Sequence, residues 1–199
     1  MTKQEFLELR VLGVLSSKIK FEEKYSITLK SDTIKKAFLN QAKITDEEYE
    51  QYIISTEDEA KRIGSLANKE RREGFGSRKL FLEWYLKIEK KCCYCGIKEE
   101  ELNKYFNKNN LQYLNSKRER GTSLEIERII TEPQDKNVYS ECNSSLACYI
   151  CNNAKSDFIS PVDFKPIAQG INQFWQEQGA KIESFNELEF WDKVEDICK

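Results

Sequence analysis

Apolar positions recur at helical spacing through most of the 199 residues, with one short stretch that alternates instead. Phe6, Leu7, Leu9, Val11, Leu12 and Leu15 suit a helix over 3–15, with Gly13 as its weak point. Ser31 or Asp32 is placed to cap a helix to Asn40 that buries Ile34, Phe38 and Leu39. Thr45 and Glu48 form a capping box ahead of Tyr49, Tyr52 and Ile53, and Ser55 with Asp58 opens a run toward Arg72. Gly74-Phe75-Gly76 interrupts, and Ser77 caps a helix with Leu80, Phe81, Trp84, Tyr85 and Ile88 on its apolar face. A short helix over 99–106 precedes a polar linker to Gly121.

The alternating stretch comes next. Leu124, Ile126 and Arg128 interleave with Glu125, Glu127 and Ile129, the period of a strand. A turn at Glu132-Pro133-Gln134-Asp135 and a return strand at Val138-Tyr139 complete a predicted hairpin. A short helix over 152–158 follows. Ser160-Pro161 then starts a helix to about Gln178 that buries Phe164, Ile167, Ile171, Phe174 and Trp175. Asn186 opens a last amphipathic helix with Leu188, Trp191, Val194 and Ile197. The expectation is an α+β fold, mainly helical.

Seven cysteines sharpen this picture. Cys92-Cys93-Tyr94-Cys95 and Cys148-Tyr149-Ile150-Cys151 are both C-x-x-C pairs, separated by 52 residues. Each pair aims two thiolates at one point, and two pairs complete a tetrahedral Cys₄ site for a structural Zn²⁺. Four cysteines can also pack simply as small hydrophobes, but the doubled ligand spacing favours metal. Cys93, Cys142 and Cys198 are left over. With no signal peptide or membrane-length apolar run at hand, this usage points to a reducing, cytoplasmic setting and no membrane partner.

Net charge is −2, which by itself offers nothing to a polyanion. Residues 61–91, however, carry 10 basic and 4 acidic groups. Lys69, Arg71, Arg72, Arg78 and Lys79 in this stretch are candidate nucleic-acid contacts; a solvated helix face is the plainer alternative. The chain has no histidine. Any catalysis must therefore rely on carboxylates, Tyr, Lys, a free Cys or metal-bound water.

A hairpin held between two cysteine pairs and followed at once by a helix resembles the HNH, or ββα-metal, endonucleases, in the version framed by zinc knuckles. Ala67-Asn68-Lys69-Glu70, Phe81-Leu82, Trp84-Tyr85, Cys95-Gly96-Ile97, Leu146-Ala147-Cys148, Ile150-Cys151-Asn152 and Lys155-Ser156 recur, in this order, in a restriction enzyme of that family. The resemblance covers roughly residues 65–178. It implies an HNH core there, clamped by the Cys₄ zinc, with a helical N-terminal lobe over 1–64 and a C-terminal helix over 179–199.

The resemblance further implies that Glu127 and Asn152 hold a catalytic Mg²⁺ or Mn²⁺, that Arg128 follows the metal acid, and that Asn143 braces the loop. Tyr94, inside the first knuckle, is the candidate to orient or deprotonate water, with Glu125 as second choice. Lys155 is a candidate phosphate contact. Three departures stand out: Glu127 replaces the usual Asp, Arg72 stands where the related enzyme has a histidine, and the helical lobe replaces an N-terminal zinc ribbon. The activity implied is metal-dependent DNA cleavage of restriction or phage-defence type by a homodimer. A DNA- or RNA-binding module with a decayed site, and a nicking or structure-specific nuclease, are the alternatives.

Overall fold

The computed structural model describes residues 1–29, 33–112 and 120–197, with side chains in the last helix described to Val194. The Ser31/Asp32 cap, Cys198 and the side chain of Ile197 lie outside that range. The chain divides into two compact units, Met1–Lys87 and Ile88–Lys199.

The first unit is helical: α1 (Lys3–Val11), α2 (Lys18–Tyr25), α3 (Ile34–Ala42), α4 (Asp46–Ser55), α5 (Glu57–Leu66), α6 (Lys69–Gly74) and α7 (Arg78–Lys87). α1 stops short of residue 15 because Gly13 turns the chain at φ +77°. Ser17 then caps α2, an element the apolar pattern did not announce. Phe6, Phe21 and Phe38 have no exposed surface, and Phe6 stacks on Tyr52 at 5.1 Å. The expected Thr45 capping box forms, with both reciprocal hydrogen bonds. Arg10 pins α1 to the α4–α5 junction through Ile53 O (2.6 Å), Thr56 Oγ1 (3.0 Å) and the Glu57 carboxylate. The run toward Arg72 is two helices, because Asn68 accepts Arg71 N–H and starts α6 afresh. On α7, Phe81, Leu82 and Tyr85 are buried while Leu80 is 53% exposed.

The second unit carries α8 (Glu99–Lys108), β1 (Glu125–Arg128), β2 (Ser144–Ala147), α9 (Tyr149–Lys155), α10 (Pro161–Glu177) and α11 (Glu189–Ile197). β1 and β2 are antiparallel, in register Glu125↔Ala147, Ile126↔Leu146, Glu127↔Ser145 and Arg128↔Ser144. The return strand is thus Ser144–Ala147, not Val138-Tyr139. Val138 is half exposed in the connecting loop, and the Tyr139 ring lies under the Arg128 guanidinium at 4.9 Å. The short helix also begins three residues early, because Cys148 is its N-cap, with Sγ accepting Cys151 N–H at 3.5 Å. Ser156, at φ +54°, ends it.

α10 starts at the expected Ser160-Pro161 cap and carries Pro166 within it. Its buried stripe is Phe164, Ala168, Asn172 and Trp175, while Ile167 and Phe174 are partly exposed. Asn172 is buried for a reason: its amide donates to Cys95 O (2.9 Å) and Glu183 O (3.1 Å). From α11, Trp191 Nε1 donates to Tyr94 O at 3.0 Å, and Cys93 N donates to β2 at Leu146 O, 2.8 Å. The first knuckle is therefore fixed by α10, α11 and the sheet together. No described helix is long and apolar enough to cross a membrane.

Candidate metal centre

Cys92 and Cys95 sit on the turn before α8; Cys148 and Cys151 sit at the start of α9. All four sulfurs are buried and lie within 4.8 Å of one another. Cys95 Sγ and Cys148 Sγ are 3.7 Å apart. A tetrahedron with Zn–S bonds of about 2.3 Å has edges of about 3.8 Å, so the donor set fits that ion. Burial pushes the thiols of Cys95 and Cys151 well above the ordinary range. Against the same burial, hydrogen bonds from the other three thiols hold Cys92 well below that range, and a bound cation favours the thiolate at every sulfur. Gly96 closes the first knuckle at φ +77°, a conformation that favours glycine, and a Cβ there would press on Leu188 Cδ2 at 2.8 Å. Cys93 is half-buried and Cys142 exposed; neither belongs to the cluster.

The cluster joins the strand–strand–helix unit at both ends, and β1 packs against α9 through polar contacts in two places. Glu125 accepts Asn152 Nδ2 at 2.6 Å and is gripped from the other side by Arg120, with Nε to Oε1 at 2.8 Å. Arg120 in turn lies 5.3 Å over the Tyr149 ring. Two residues along, Glu127 Oε1 meets Lys155 Nζ at 3.1 Å and accepts Tyr94 Oη at 3.1 Å. Strand residues i and i+2 share a face, and helix residues i and i+3 share another, so both rungs follow from the two periods. The rungs differ in exposure. The Glu125 side chain is 17% exposed and Arg120 37%, whereas Lys155 and Tyr94 are wholly buried.

Electrostatics separates the rungs further. Burial raises the Glu127 carboxyl to about 7, against the pull of Lys155 and Tyr94. Burial likewise drives the Tyr94 phenol well above its ordinary range. Tyr94 therefore keeps its proton and spends it on Glu127; the environment does not make it a water-deprotonating base. Lys155, expected at a helix start facing a phosphate, is the last residue of α9, fully buried, with further contacts to Arg128 O (3.4 Å) and Ser156 O (3.3 Å).

Asn143 lies just before β2 and stitches the connecting loop. Its amide donates to Ile130 O (3.0 Å), Lys136 O (3.0 Å) and Val138 O (2.9 Å), and its Oδ1 accepts Ile130 N–H at 2.7 Å. Arg128 leans over Tyr139 with Asp157 at 3.9 Å. The structure thus brings Asn152 to Glu125, and Glu127 to Tyr94 and Lys155.

The chain is similar to PacI. That protein is described as a rare-cutting HNH restriction endonuclease that perturbs DNA; identity is 27% over 61% of this chain and 79% of PacI, with a TM-score of 0.44. No family model and no curated protein matches the chain. What the site can do is therefore read from its own side chains.

The remaining candidates, all basic, belong to the first unit. Lys69, Arg72, Arg78 and Lys79 are exposed on α6 and α7, while Arg71 turns back to Leu66 O at 2.8 Å. Lys69 and Lys79 face Glu73 (3.7 Å) and Glu83 (3.9 Å) across one helical turn. Glu125, the second choice for a water-orienting group, is the acid that Asn152 meets. Its shared face with Glu127 was the available signal.

Proposed function

We propose that the second unit is an HNH-type centre that hydrolyses DNA phosphodiester bonds with a divalent cation, in a restriction or phage-defence enzyme. The observation that carries this reading is the meeting of strand carboxylate and helix amide, Glu125 with Asn152 at 2.6 Å, on a ββα unit held by a Cys₄ cluster. Carboxylate and amide oxygens are the hard donors that Mg²⁺ and Mn²⁺ select, so the residues present fit such an ion. Bound there, the ion would lower the pKa of a water and take up charge on the scissile phosphate.

The chain's own residues do the rest. Glu127, the acid assigned by resemblance, contributes to the same strand face. Arg128 brings a planar guanidinium donor fork that suits a phosphate and offers no acceptor for a proton. Asn143 fixes the loop that follows β1. The exposed cations Lys69, Arg72, Arg78 and Lys79 supply a sequence-independent phosphate footprint. One centre cuts one strand, so double-strand cleavage requires a homodimer with two-fold symmetry.

The test is conversion of supercoiled plasmid in Mg²⁺ or Mn²⁺. Wild type nicks or linearises it, and Asn152→Ala lowers the rate by at least about a hundredfold. Equal inertness of both proteins on linear, supercoiled and branched DNA contradicts the reading. One observation favours a second reading, a DNA-binding module without catalysis: internal cations already neutralise both acids, Arg120 on Glu125 and Lys155 on Glu127. Salt-dependent DNA binding without cleavage would establish it.

A further inference from the structure

We propose that Glu125 is the carboxylate that shares the divalent cation with Asn152, and that Glu127 is a buried strut committed to Lys155. This rests on the hydrolytic reading above and sharpens it by taking Glu127, the acid that the resemblance assigns to the ion, out of the ligand set. Successive same-face residues on a strand stand about 6.6 Å apart, and Asn152 and Lys155 are about 4.5 Å apart along α9. The two rungs are therefore separate stations. A Mg²⁺-sized ion with bonds of about 2.1 Å needs its donors within about 4 Å of one another, which the carboxylate and amide of Glu125 and Asn152 already satisfy.

The stations differ in how easily they open. Asn152 already touches Glu125, and a half-turn of its amide about the last side-chain bond presents Oδ1 to the same point. The competitor there is Arg120, which grips the carboxylate through two nitrogens from a side chain that is 37% exposed. At the other station, Glu127 Oε1 is held by two groups with no exposed surface, Tyr94 and Lys155. Withdrawing it would leave the Lys155 ammonium buried against only two carbonyls, at 3.4 and 3.3 Å. An ion takes the station whose competing partner lies nearer to solvent.

The experiment is Mn²⁺ titration of the zinc-loaded full chain by electron paramagnetic resonance, with cleavage followed in parallel. Glu125→Gln is expected to weaken Mn²⁺ by at least about tenfold, as loss of a ligand should exceed loss of an outer partner. Glu127→Leu/Lys155→Met removes both buried charges together and is expected to bind Mn²⁺ within about threefold of wild type. Zinc content and near-ultraviolet dichroism report that each variant is folded, and Glu127→Gln serves as the isosteric check. Mn²⁺ binding lost in the double variant but kept in Glu125→Gln overturns the assignment and leaves the hydrolytic reading standing. Equal loss in both overturns the division between stations. A wild type that cleaves no DNA and binds no Mn²⁺, with or without DNA, sinks both.

Discussion

Glu125 and Glu127 are chemically identical, two residues apart, on one face of one strand, and opposite one helix. Their surroundings make them different reagents. Glu125 meets an amide and a partly exposed guanidinium, nearer to solvent than its neighbour's partners. Glu127 meets a phenol and an ammonium that water does not reach. Desolvation is what separates them: a wet carboxylate is a ligand in waiting, while a buried one is committed to the partner that neutralises it. On the proposed reading the first kind holds an ion and the second keeps the helix in register.

The comparison can be broken from the largest effect downward. Both rungs depend on the cysteine cluster, so Cys148→Ser or chelation removes them together. Structural zinc carries on the order of 10 kcal/mol, comparable with the whole stability of a domain. Metal analysis should return about one zinc per wild-type chain, and the variant should lose cooperative melting of the second unit. A metal-free, normally melting protein would remove the scaffold from the account.

Next comes the buried rung. Above pH about 7, where Glu127 is ionised, Lys155→Met alone strands a carboxylate and should cost up to about 3–5 kcal/mol, whereas Glu127→Leu/Lys155→Met should recover most of it. Denaturant midpoints give the cycle; additive losses would mean that the pair is not coupled. The same rung has a pH signature. The folded carboxyl holds its proton to about 7 and the unfolded one only to about 4.5, so the folded state binds more protons in between. Its contribution to stability therefore falls as pH rises from about 4.5 to about 7, and Glu127→Gln should flatten that slope.

Asn143→Ala is expected to cost about 2–4 kcal/mol, because four loop hydrogen bonds go at once and several main-chain groups lose their partner. Thermal melting measures it; a change below about 0.5 kcal/mol would show that the loop stands unaided. The smallest effect belongs to the wet rung. Arg120→Ala should shift stability by less than about 1 kcal/mol, as exposed ion pairs do, while leaving Mn²⁺ affinity unchanged or tighter. Weaker Mn²⁺ binding in this variant would mean that Arg120 builds the station and does not merely compete for it.

How much of this was legible in the chain depended on how local the cause was. The cysteine pairs, the Thr45 capping box, the Ser160-Pro161 start and the strand at Glu125–Arg128 are written in spacings of two to four residues, and each is where the sequence placed it. Val138-Tyr139 has strand-like side chains yet pairs with nothing in β1, because Asn143 ties the loop off and leaves Ser144–Ala147 to return. The helix phase was set by a cysteine acting as N-cap, which moved α9 back by three residues and turned Lys155 inward. That phase decides which glutamate meets Asn152. Lysine's usual place at the surface concealed the buried rung.

Locating the ion itself tests the division of labour most directly. Crystals of the zinc-loaded protein soaked in Mn²⁺, with anomalous data collected for manganese, should show a peak bonded to Glu125 and Asn152 oxygens, with Glu127 still on Lys155. A peak bonded to Glu127, with Lys155 displaced and Glu125 left on Arg120, would contradict it.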